Sequence, residues 1–598
     1  YNVQITVPKD YVVAATGKVK SEDDNGTTKT LHYLQDNIHD FAWFADKDFV
    51  VKHDTLQLAT HTVDVYAYYN KANGKNWTGS INYIKSAITT KSNWVGEYPY
   101  DIVSVVEKPG KNTGDDGMEY PTITLVSSSS SELINHEVGH NWFYGILATN
   151  ERLHPWMDEG MNTYYDNRVK EEYYLNPVMQ AKNKSNFVGK RVPTDMLDLL
   201  LRSLIAIKKD QPIETPSESF TELNYGAIAY GKTAQWMKSL ETALGKQVFD
   251  SIMQAYYSSW KFKHPYPEDF RKIVEEKSGK DVSPLFAELN TKGPIEKPFA
   301  KKLKLAAFFN FKETNKYNYI FLSPAIGYNF YDKFMIGALI HNYTLPVTKF
   351  QFVLAPLYAT GSKEFNGIGR LGYSWYANNG RKIELSVSGA KFTVDQFTDS
   401  TGKKNNQPFY KIAPSLKYVF ANKRPRSTVT KYIQWKTFFI NETGLLFKRD
   451  TVNQVDVISY PTANRYLNQL QFVIENNRVL YPYKAALQAE QGKGFIRLNF
   501  TGNYFFDYAN SGGLNVRLFA GKFIYTGDKT FLTQYQTDAY HLNLSGPKGY
   551  EDYTYSNYFI GRNEFEGLSN QQIMNRDGAF KVRTDLLGDK IGKTDDWL

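Results

Sequence analysis

The stretch His-Glu-Val-Gly-His at positions 136–140 contains the residue types that bind a metal ion and use it. On a helix, His136 and His140 are four residues apart and share one face, so both imidazoles can bind one ion. Glu137 then lies beside the ion, where it can accept a proton from a water molecule that the metal activates. These five residues alone also fit two surface histidines on a solvated helix, so other parts of the chain must decide.

A carboxylate further along the chain favours the metal site. Glu159 follows His140 after an interval of eighteen residues, in the stretch Trp-Met-Asp-Glu-Gly at 156–160. On a neighbouring helix it would complete a His₂Glu site with one open position, which is a ligand set of catalytic zinc. The chain contains no cysteine, so it has no thiolate ligand, no disulfide and no cysteine nucleophile. Zinc would therefore be held by histidine and carboxylate.

Two other stretches carry groups that suit such a site. Glu119 adjoins a predicted strand and has the charge to bind a cationic group, although a solvated glutamate is the alternative. Tyr225 and Tyr230 lie at a predicted helix start, and a tyrosine hydroxyl near zinc can donate a hydrogen bond to an oxyanion. Because the chain has 44 tyrosines, each of these two also fits an ordinary core or surface position.

The elements that would position these residues change along the chain. Residues 1–75 contain runs such as Val3, Ile5 and Val7, which alternate with polar neighbours and predict a β-rich N-terminal domain. Helical spacing starts at about 76, and we expect an α/β domain over 76–292. The first residues already have a strand pattern and no signal peptide is visible, so we expect the numbering to begin inside a domain.

Four of these features, in this order, resemble the gluzincin aminopeptidases, the aminopeptidase N-like zinc family. They are Gly-Met-Glu-Tyr at 117–120, HEVGH, the glutamate after eighteen residues, and Tyr-Gly-Lys at 230–232. The resemblance covers roughly residues 1–290. It implies a thermolysin-like zinc peptidase domain with one zinc ion per chain. It also implies an enzyme that removes N-terminal residues from peptides with a free N-terminus.

The resemblance implies three sets of site residues. The zinc-binding set is His136, His140 and Glu159. The catalytic pair is Glu137, the general base that later protonates the leaving amine, and Tyr230, which stabilises the oxyanion. The substrate-binding set is Glu119 for the α-ammonium group, Gly117 and Met118 for the peptide backbone, and Tyr225 lining the site.

The chain departs from the family pattern at the site and beyond it. Tyr120 stands where the family has asparagine, which affects the pocket for the first substrate side chain. The residues after Tyr230 are Gly-Lys-Thr, a small shift from the family's pattern. The family's α-helical C-terminal domain is not apparent, so the usual cover of the substrate cavity is missing or replaced.

The composition changes after Pro294, and residues 300–598 show repeated period-two runs separated by turn-like breaks. Ile383, Leu385 and Val387, for example, alternate with polar neighbours. Together with 15% aromatic residues and a mean hydropathy of −0.49, this pattern predicts an antiparallel transmembrane β-barrel of about a dozen strands. The segment resembles bacterial outer-membrane surface-antigen barrels. A soluble β-sandwich is the alternative, because its strands also alternate.

The end of this segment leaves the closure of the barrel open. The last strand-like run, 580–583, ends abruptly, so we expect a barrel that this chain leaves incomplete. A membrane-spanning helix is excluded because no run of 18 apolar residues exists. The net charge of +9 is spread without a dense Lys/Arg block, so nucleic acid is not an expected partner.

The combined prediction is a multidomain zinc aminopeptidase anchored in a bacterial outer membrane by its C-terminal barrel. We expect the peptidase in the periplasm, with cell-surface exposure as the alternative. The expected partners are peptides, outer-membrane lipid and membrane-protein complexes. Three rival functions stay open at this point. They are a catalytically silent membrane scaffold or assembly partner, a transport channel with an accessory peptidase, and an endopeptidase.

Overall fold

A computed structural model describes residues 1–109, 116–173, 187–296 and 300–528, with short pieces at 542–543, 553–556, 577, 593–594 and 596–597. The chain forms two compact units. The first contains Tyr1–Lys190, Thr194–Ile205 and Asp210–Pro298, and the second contains the remaining residues. The strand-like run predicted at 580–583 lies outside the described residues.

Two small antiparallel sheets form the N-terminal part of the first unit. Their strands are β1 (Asn2–Pro8), β2 (Val12–Ala15), β3 (Lys18–Asp24), β4 (Thr28–Leu34) and β5 (Trp43–Asp46). Strand β4 lies between β1 and β3, and β2 pairs with β5. The inward residues of the alternating pattern, among them Ile5, Val7 and Leu31, pack into a core of their own. This part has the β-rich character that the sequence predicts.

A five-stranded sheet supports the candidate site. Its strands are β6 (Phe49–Gln57), β7 (Thr62–Asn70), β8 (Ile102–Glu107), β9 (Gly117–Tyr120) and β10 (Ile123–Val126), in the spatial order β6-β7-β8-β10-β9. Strand β8 runs parallel to both of its neighbours, whereas β9 is an antiparallel edge strand. The structure differs here from the predicted boundary at residue 75. Strands β6 and β7 belong to the same sheet as the site, because Val63, Val65 and Ala67 are buried in its core.

Helices cover this sheet and carry most of the candidate site residues. They are α1 (Ser80–Trp94), α2 (Ser131–His140), α3 (Glu159–Tyr173), α4 (Met196–Ala206), α5 (Thr233–Leu244), α6 (Lys246–Trp260), α7 (Pro267–Ser278) and the short α8 (Ser283–Ala287), with a further single turn at Glu222–Asn224. Two π-helical segments, Asn141–Ile146 and Tyr225–Lys232, extend α2 and lead into α5. Trp142, Trp156 and Trp236 are fully buried between these elements. In the part of the chain that the structure describes, no helix combines the length and apolarity needed to span a membrane.

A twelve-stranded sheet dominates the second unit. Its strands are β11 (Lys302–Ala307), β12 (Tyr317–Asn329), β13 (Lys333–His341), β14 (Phe350–Ala359), β15 (Phe365–Tyr376), β16 (Lys382–Thr398), β17 (Lys404–Val419), β18 (Val429–Thr443), β21 (Thr462–Asn476), β22 (Tyr483–Gly492), β23 (Phe495–Asp507) and β24 (Gly513–Tyr525); the hairpin β19–β20 (Leu446–Asp450, Val455–Ser459) lies between β18 and β21. Each strand pairs with the next along the sheet.

The ladders agree with the predicted antiparallel pattern except at one end. Strand β11 runs parallel to β12, which the alternation of side chains could not reveal because both directions give the same period of two. All the other pairs in this sheet are antiparallel, as the meander of short connections requires. Within the described ranges no ladder joins β24 to β11, so closure into a barrel stays a prediction.

One face of this sheet exposes apolar side chains, and the other buries both polar and apolar ones. On β16 the exposed side chains are Ile383, Leu385 and Val387, which are 42%, 53% and 37% exposed. The same face of the neighbouring strands also carries exposed apolar residues, including Ile412, Leu416, Trp435, Phe439, Leu470, Leu487 and Leu498. The buried face carries polar and charged residues, including Asn366, Ser374, Gln407, Lys411, Ser415, Glu490 and Arg497, beside an apolar cluster that includes Phe392, Phe409, Phe438 and Phe495.

Short pieces from the end of the chain fill part of the buried face. Arg497 donates to Glu490 at 3.2 Å and also hydrogen-bonds Asp577. Lys411 Nζ donates to two backbone carbonyls of the segment 553–556, at 3.0 and 2.9 Å. These pairings satisfy charges that would otherwise be costly to bury.

Candidate active site

Helix α2 brings the two histidines of the HEVGH stretch together. Ser130 caps the helix, because its hydroxyl accepts a hydrogen bond from the Leu133 amide at 3.2 Å. The Nε2 atoms of His136 and His140 are 3.1 Å apart. The His140 side chain is 1% exposed and that of His136 is 18% exposed. Burial of this kind excludes a solvated helix with two surface histidines.

Glu159 lies at the start of α3 and points its carboxylate at the same place. Its Oε2 atom is 3.3 Å from Nε2 of His140 and 3.7 Å from Nε2 of His136. One donor atom from each of the three residues lies within 4.8 Å of the others. The three residues named from the sequence as zinc ligands therefore converge on one point.

Two aspartates behind the histidines orient both rings. His136 Nδ1 pairs with Asp166 Oδ2, and His140 Nδ1 pairs with Asp158 Oδ1, each at 2.6 Å. With Nδ1 engaged, each imidazole presents Nε2 toward Glu159, as metal-binding histidines usually do. Neither aspartate was among the predicted site residues. The spacing could have pointed to Asp166, because this residue is seven positions after Glu159 and lies two turns along the same helix face.

The electrostatics of this cluster favour a cation. Burial alone would lower the pKa of His136, but Asp166 and Glu159 outweigh it and raise that pKa to about 9. The pKa of His140 is likewise raised against the effect of burial, by Asp158 and Glu159. Oε2 of Glu159 is buried and accepts no hydrogen bond from any described residue. Two imidazoles and a carboxylate with this unsatisfied oxygen fit zinc, which favours nitrogen and oxygen ligands in a small tetrahedral site.

Glu137 approaches the ligand cluster from α2 and depends on a glycine to do so. A Cβ atom at position 117 would overlap the Glu137 carboxylate, so the glycine leaves the space that this side chain occupies. Glu137 is 5% exposed, and burial raises the pKa of its carboxyl to about 7. Its Oε2 atom is also buried without a hydrogen-bond partner among the described residues. A buried carboxyl with a free oxygen is suited to accept and return a proton.

Glu119 lies on the edge strand β9 on the other side of the cluster. Its carboxylate is within 4.8 Å of donor atoms of both Glu137 and His140. A second group within the same distance contains Glu119, Asp158 and Glu151. Glu151 is exposed and was not identified from the sequence, because the loop that carries it has no recognisable pattern. Among the described residues, no strand pairs with the edge of β9 that faces away from β10; this edge includes Gly117 and Met118.

Tyr225 and Tyr230 reach the cluster from the π-helical segment 225–232. The Tyr230 hydroxyl donates to Glu159 Oε1, and the Tyr225 hydroxyl donates to the same atom at 3.4 Å. The Tyr230 ring stacks on the His136 ring with centroids 5.8 Å apart. Burial, followed by the charge of Glu159, raises the pKa of Tyr230 far above its ordinary value, so the phenol keeps its proton. Both tyrosines named from the sequence thus contact a candidate zinc ligand.

Comparison with known proteins finds similarity to one class of peptidase. Residues 115–289 match the Peptidase family M1 domain. Aminopeptidase M1-B of Oryza sativa subsp. japonica is 23% identical over 306 residues, which are 48% of this chain and 33% of the relative. Aminopeptidase 2, mitochondrial, of Saccharomyces cerevisiae is 28% identical over 154 residues, which are 25% of this chain and 15% of the relative.

Among solved structures, an M1 zinc metallopeptidase from Deinococcus radiodurans matches 50% of this chain and 66% of its own, with 18% identity and a TM-score of 0.41. The match to Aminopeptidase M1-B spans about a third of that protein's length.

Replacing Asp158 with asparagine is expected to weaken zinc binding about 10- to 100-fold, because the carboxylate that orients His140 loses its charge. Competition between the purified chain and a chromophoric chelator measures this change. Glu214→Gln is the matched control, since Glu214 pairs with His154, which is not in the ligand cluster. Equal zinc affinity in Asp158→Asn and the unchanged chain would contradict the assigned role.

Proposed function

We propose that the protein is a zinc aminopeptidase that removes N-terminal residues from peptides. The observation that carries the proposal is the position of Glu119, whose carboxylate lies within 4.8 Å of donor atoms of Glu137 and His140. An anion at this fixed short reach from the ligand cluster binds a substrate's α-ammonium group, so the peptide bond presented to the cluster is the first one. The aminopeptidase names of the curated relatives support the same activity.

The chain's residues divide the reaction between them. His136, His140 and Glu159 would hold one zinc ion per chain, which when bound supplies a Lewis acid that polarises the scissile carbonyl. Glu137 takes a proton from the attacking water as the C–O bond forms. It then delivers this proton to the nitrogen as the C–N bond breaks. The products are a free amino acid and a peptide shorter by one residue.

The substrate backbone and the developing charge also need partners. Gly117 and Met118 on the edge strand β9 pair with an extended peptide through main-chain hydrogen bonds. Tyr230 keeps its hydroxyl proton at the ligand cluster and donates a hydrogen bond to the oxyanion of the tetrahedral intermediate. Tyr225 lines the same wall. Extended binding with the N-terminus fixed at Glu119 sets the register of the substrate.

We further propose that the second unit anchors the peptidase in a bacterial outer membrane as a β-barrel. The support is the apolar exposed face of the twelve-stranded sheet, which would contact lipid, and its polar buried face. Barrels of this type usually begin and end in the periplasm, so we place the peptidase there, within reach of other membrane proteins. The contacts of Arg497 and Lys411 with the pieces 553–556 and 577 fill the polar face, which favours an anchor over an open channel.

Glu137→Gln is expected to keep one zinc ion per chain and to lower kcat by about 10²- to 10⁴-fold, because an amide cannot carry the proton. Metal analysis of the purified protein and hydrolysis of amino-acid amide dyes, with and without chelator, measure the two quantities. Glu132→Gln on the same helix is the control, since Glu132 is exposed, and it should leave both unchanged. Absence of chelator-sensitive turnover in the unchanged chain would favour the scaffold function.

Glu119→Gln is expected to lower kcat/KM for peptides with a free N-terminus about 10- to 100-fold. The loss reflects the roughly 1.5–3 kcal/mol that a hydrogen bond to a charged group contributes. Matched peptides with free and acetylated N-termini, assayed with both proteins, measure the effect. Substantial cleavage of the acetylated peptide by the unchanged chain, at a rate that Glu119→Gln does not alter, would indicate an endopeptidase.

Leu385→Arg is expected to reduce the amount of protein inserted in the outer membrane, because arginine near the bilayer midplane costs about 2–4 kcal/mol on a lipid-facing strand. Density separation of membranes followed by salt and detergent extraction measures insertion. Ser386→Arg, on the opposite face of the same strand, is the matched control and should insert normally. Release of the unchanged chain by salt alone would argue against the anchor. Degradation of the peptidase by protease added to intact cells would place it on the cell surface.

A further inference from the structure

Lys91 is a fully buried lysine in the peptidase core. Its side chain is 0% exposed, and burial lowers its pKa to about 8. It continues the inward stripe of helix α1 formed by Ile84, Ala87 and Ile88, where an apolar residue would be expected. An ammonium group in such a position is costly unless it has partners, and replacement by an apolar side chain would often be neutral or stabilising. Packing alone therefore does not account for a lysine here.

The partners of Lys91 lead directly to a candidate zinc ligand. Its Nζ atom donates to the backbone carbonyl of Asn135 at 3.0 Å and lies 3.8 Å from Asp166 Oδ1. The same Oδ1 atom accepts a hydrogen bond from the Asn135 side chain at 2.6 Å. These contacts occupy one oxygen of Asp166 and leave Oδ2 to pair with His136. Lys91 thus contacts both the residue before His136 and the carboxylate behind it.

A glycine within the metal-binding stretch makes room for this lysine. A Cβ atom at position 139 would overlap the end of the Lys91 side chain and the Asn162 amide oxygen. The chemistry of a metal-binding His-Glu-x-x-His stretch uses the two histidines and the glutamate, and it places no demand on position 139. Gly139 has an ordinary helical environment and is not required by a turn. A glycine at this position leaves room for both Lys91 and Asn162.

We propose that Lys91, accommodated by Gly139, is a positioning residue of the zinc site. It fixes the Asp166 carboxylate and the Asn135 carbonyl, and so it holds His136 with Nε2 directed at the metal. The proposal rests on the zinc site of the proposed function, but it concerns metal affinity and not the identity of the substrate. Because Lys91 acts through Asp166, its effect should disappear when Asp166 is changed.

The experiment measures zinc affinity by chelator competition on the purified full chain, at a temperature where circular dichroism shows every variant folded. Lys91→Met should weaken zinc binding about 10- to 100-fold, the range expected when an outer-shell partner of a metal ligand is lost. Asp166→Asn should weaken it as well, and the double variant Lys91→Met/Asp166→Asn should be little worse than Asp166→Asn alone. Such non-additivity distinguishes action through Asp166 from two independent losses.

Lys232→Met is the matched control, because Lys232 is 1% exposed and also donates to a backbone carbonyl, that of Thr291 at 2.8 Å. It should leave zinc binding unchanged. Gly139→Ala is a second variant that tests the same contact. It should displace Lys91 and so weaken zinc binding as Lys91→Met does. It keeps the proposal testable if Lys91→Met does not fold.

The outcomes separate this proposal from the proposed function. Unchanged zinc affinity in Lys91→Met and Gly139→Ala, with normal zinc binding by the unchanged chain, would overturn the role of Lys91 alone. Additive losses in the double variant would overturn action through Asp166. No zinc binding by the unchanged chain would overturn both proposals. If the unchanged chain binds zinc and the variants show the expected losses, but the unchanged chain has no peptidase activity, the role of Lys91 is supported and the proposed function is overturned.

Discussion

Asp158 and Asp166 accept the Nδ1 hydrogen bonds of the two histidines in a largely buried region, and this pairing constrains everything around it. The imidazoles must turn Nε2 toward Glu159, so two imidazoles and a buried carboxylate face one point. A divalent ion bound there would couple metal binding to the stability of the folded site. The buried Lys91 supplies a positive charge 3.8 Å from Asp166 Oδ1.

The site is assembled from separate elements, and two glycines make room for side chains where these elements meet. Strand β9 supplies Glu119, helix α2 supplies the histidines and Glu137, and α3 supplies Glu159. Gly117 allows the strand to meet the helix at Glu137, and Gly139 allows α2 to meet α1 at Lys91. Since both glycines serve contacts between elements, each one links the packing of the core to the position of a reactive group.

Much of this arrangement could be predicted from residue types and spacing. A separation of four places His136 and His140 on one helix face, and the eighteen-residue interval brings Glu159 back from a second helix to meet them. The contacts behind the histidines could not be predicted in this way. The pairing of Lys91 with Asp166, for example, joins α1 to α3 and depends on how these two helices pack. In the second unit, alternation predicted the strands and their two faces. It could not reveal the parallel pair β11–β12, because period two is common to both directions.

The length and charge of the edge strand β9 affect whether strands of other proteins can pair with it. A free sheet edge invites strands from other proteins and is a common starting point for aggregation. This edge extends over only Gly117–Tyr120, which is too short to hold a long foreign strand, and it carries the negative charge of Glu119 in its middle. A foreign strand that paired along β9 without a positively charged end near Glu119 would bury the Glu119 carboxylate without a partner. The short length and the charge of this edge therefore disfavour self-association through β9.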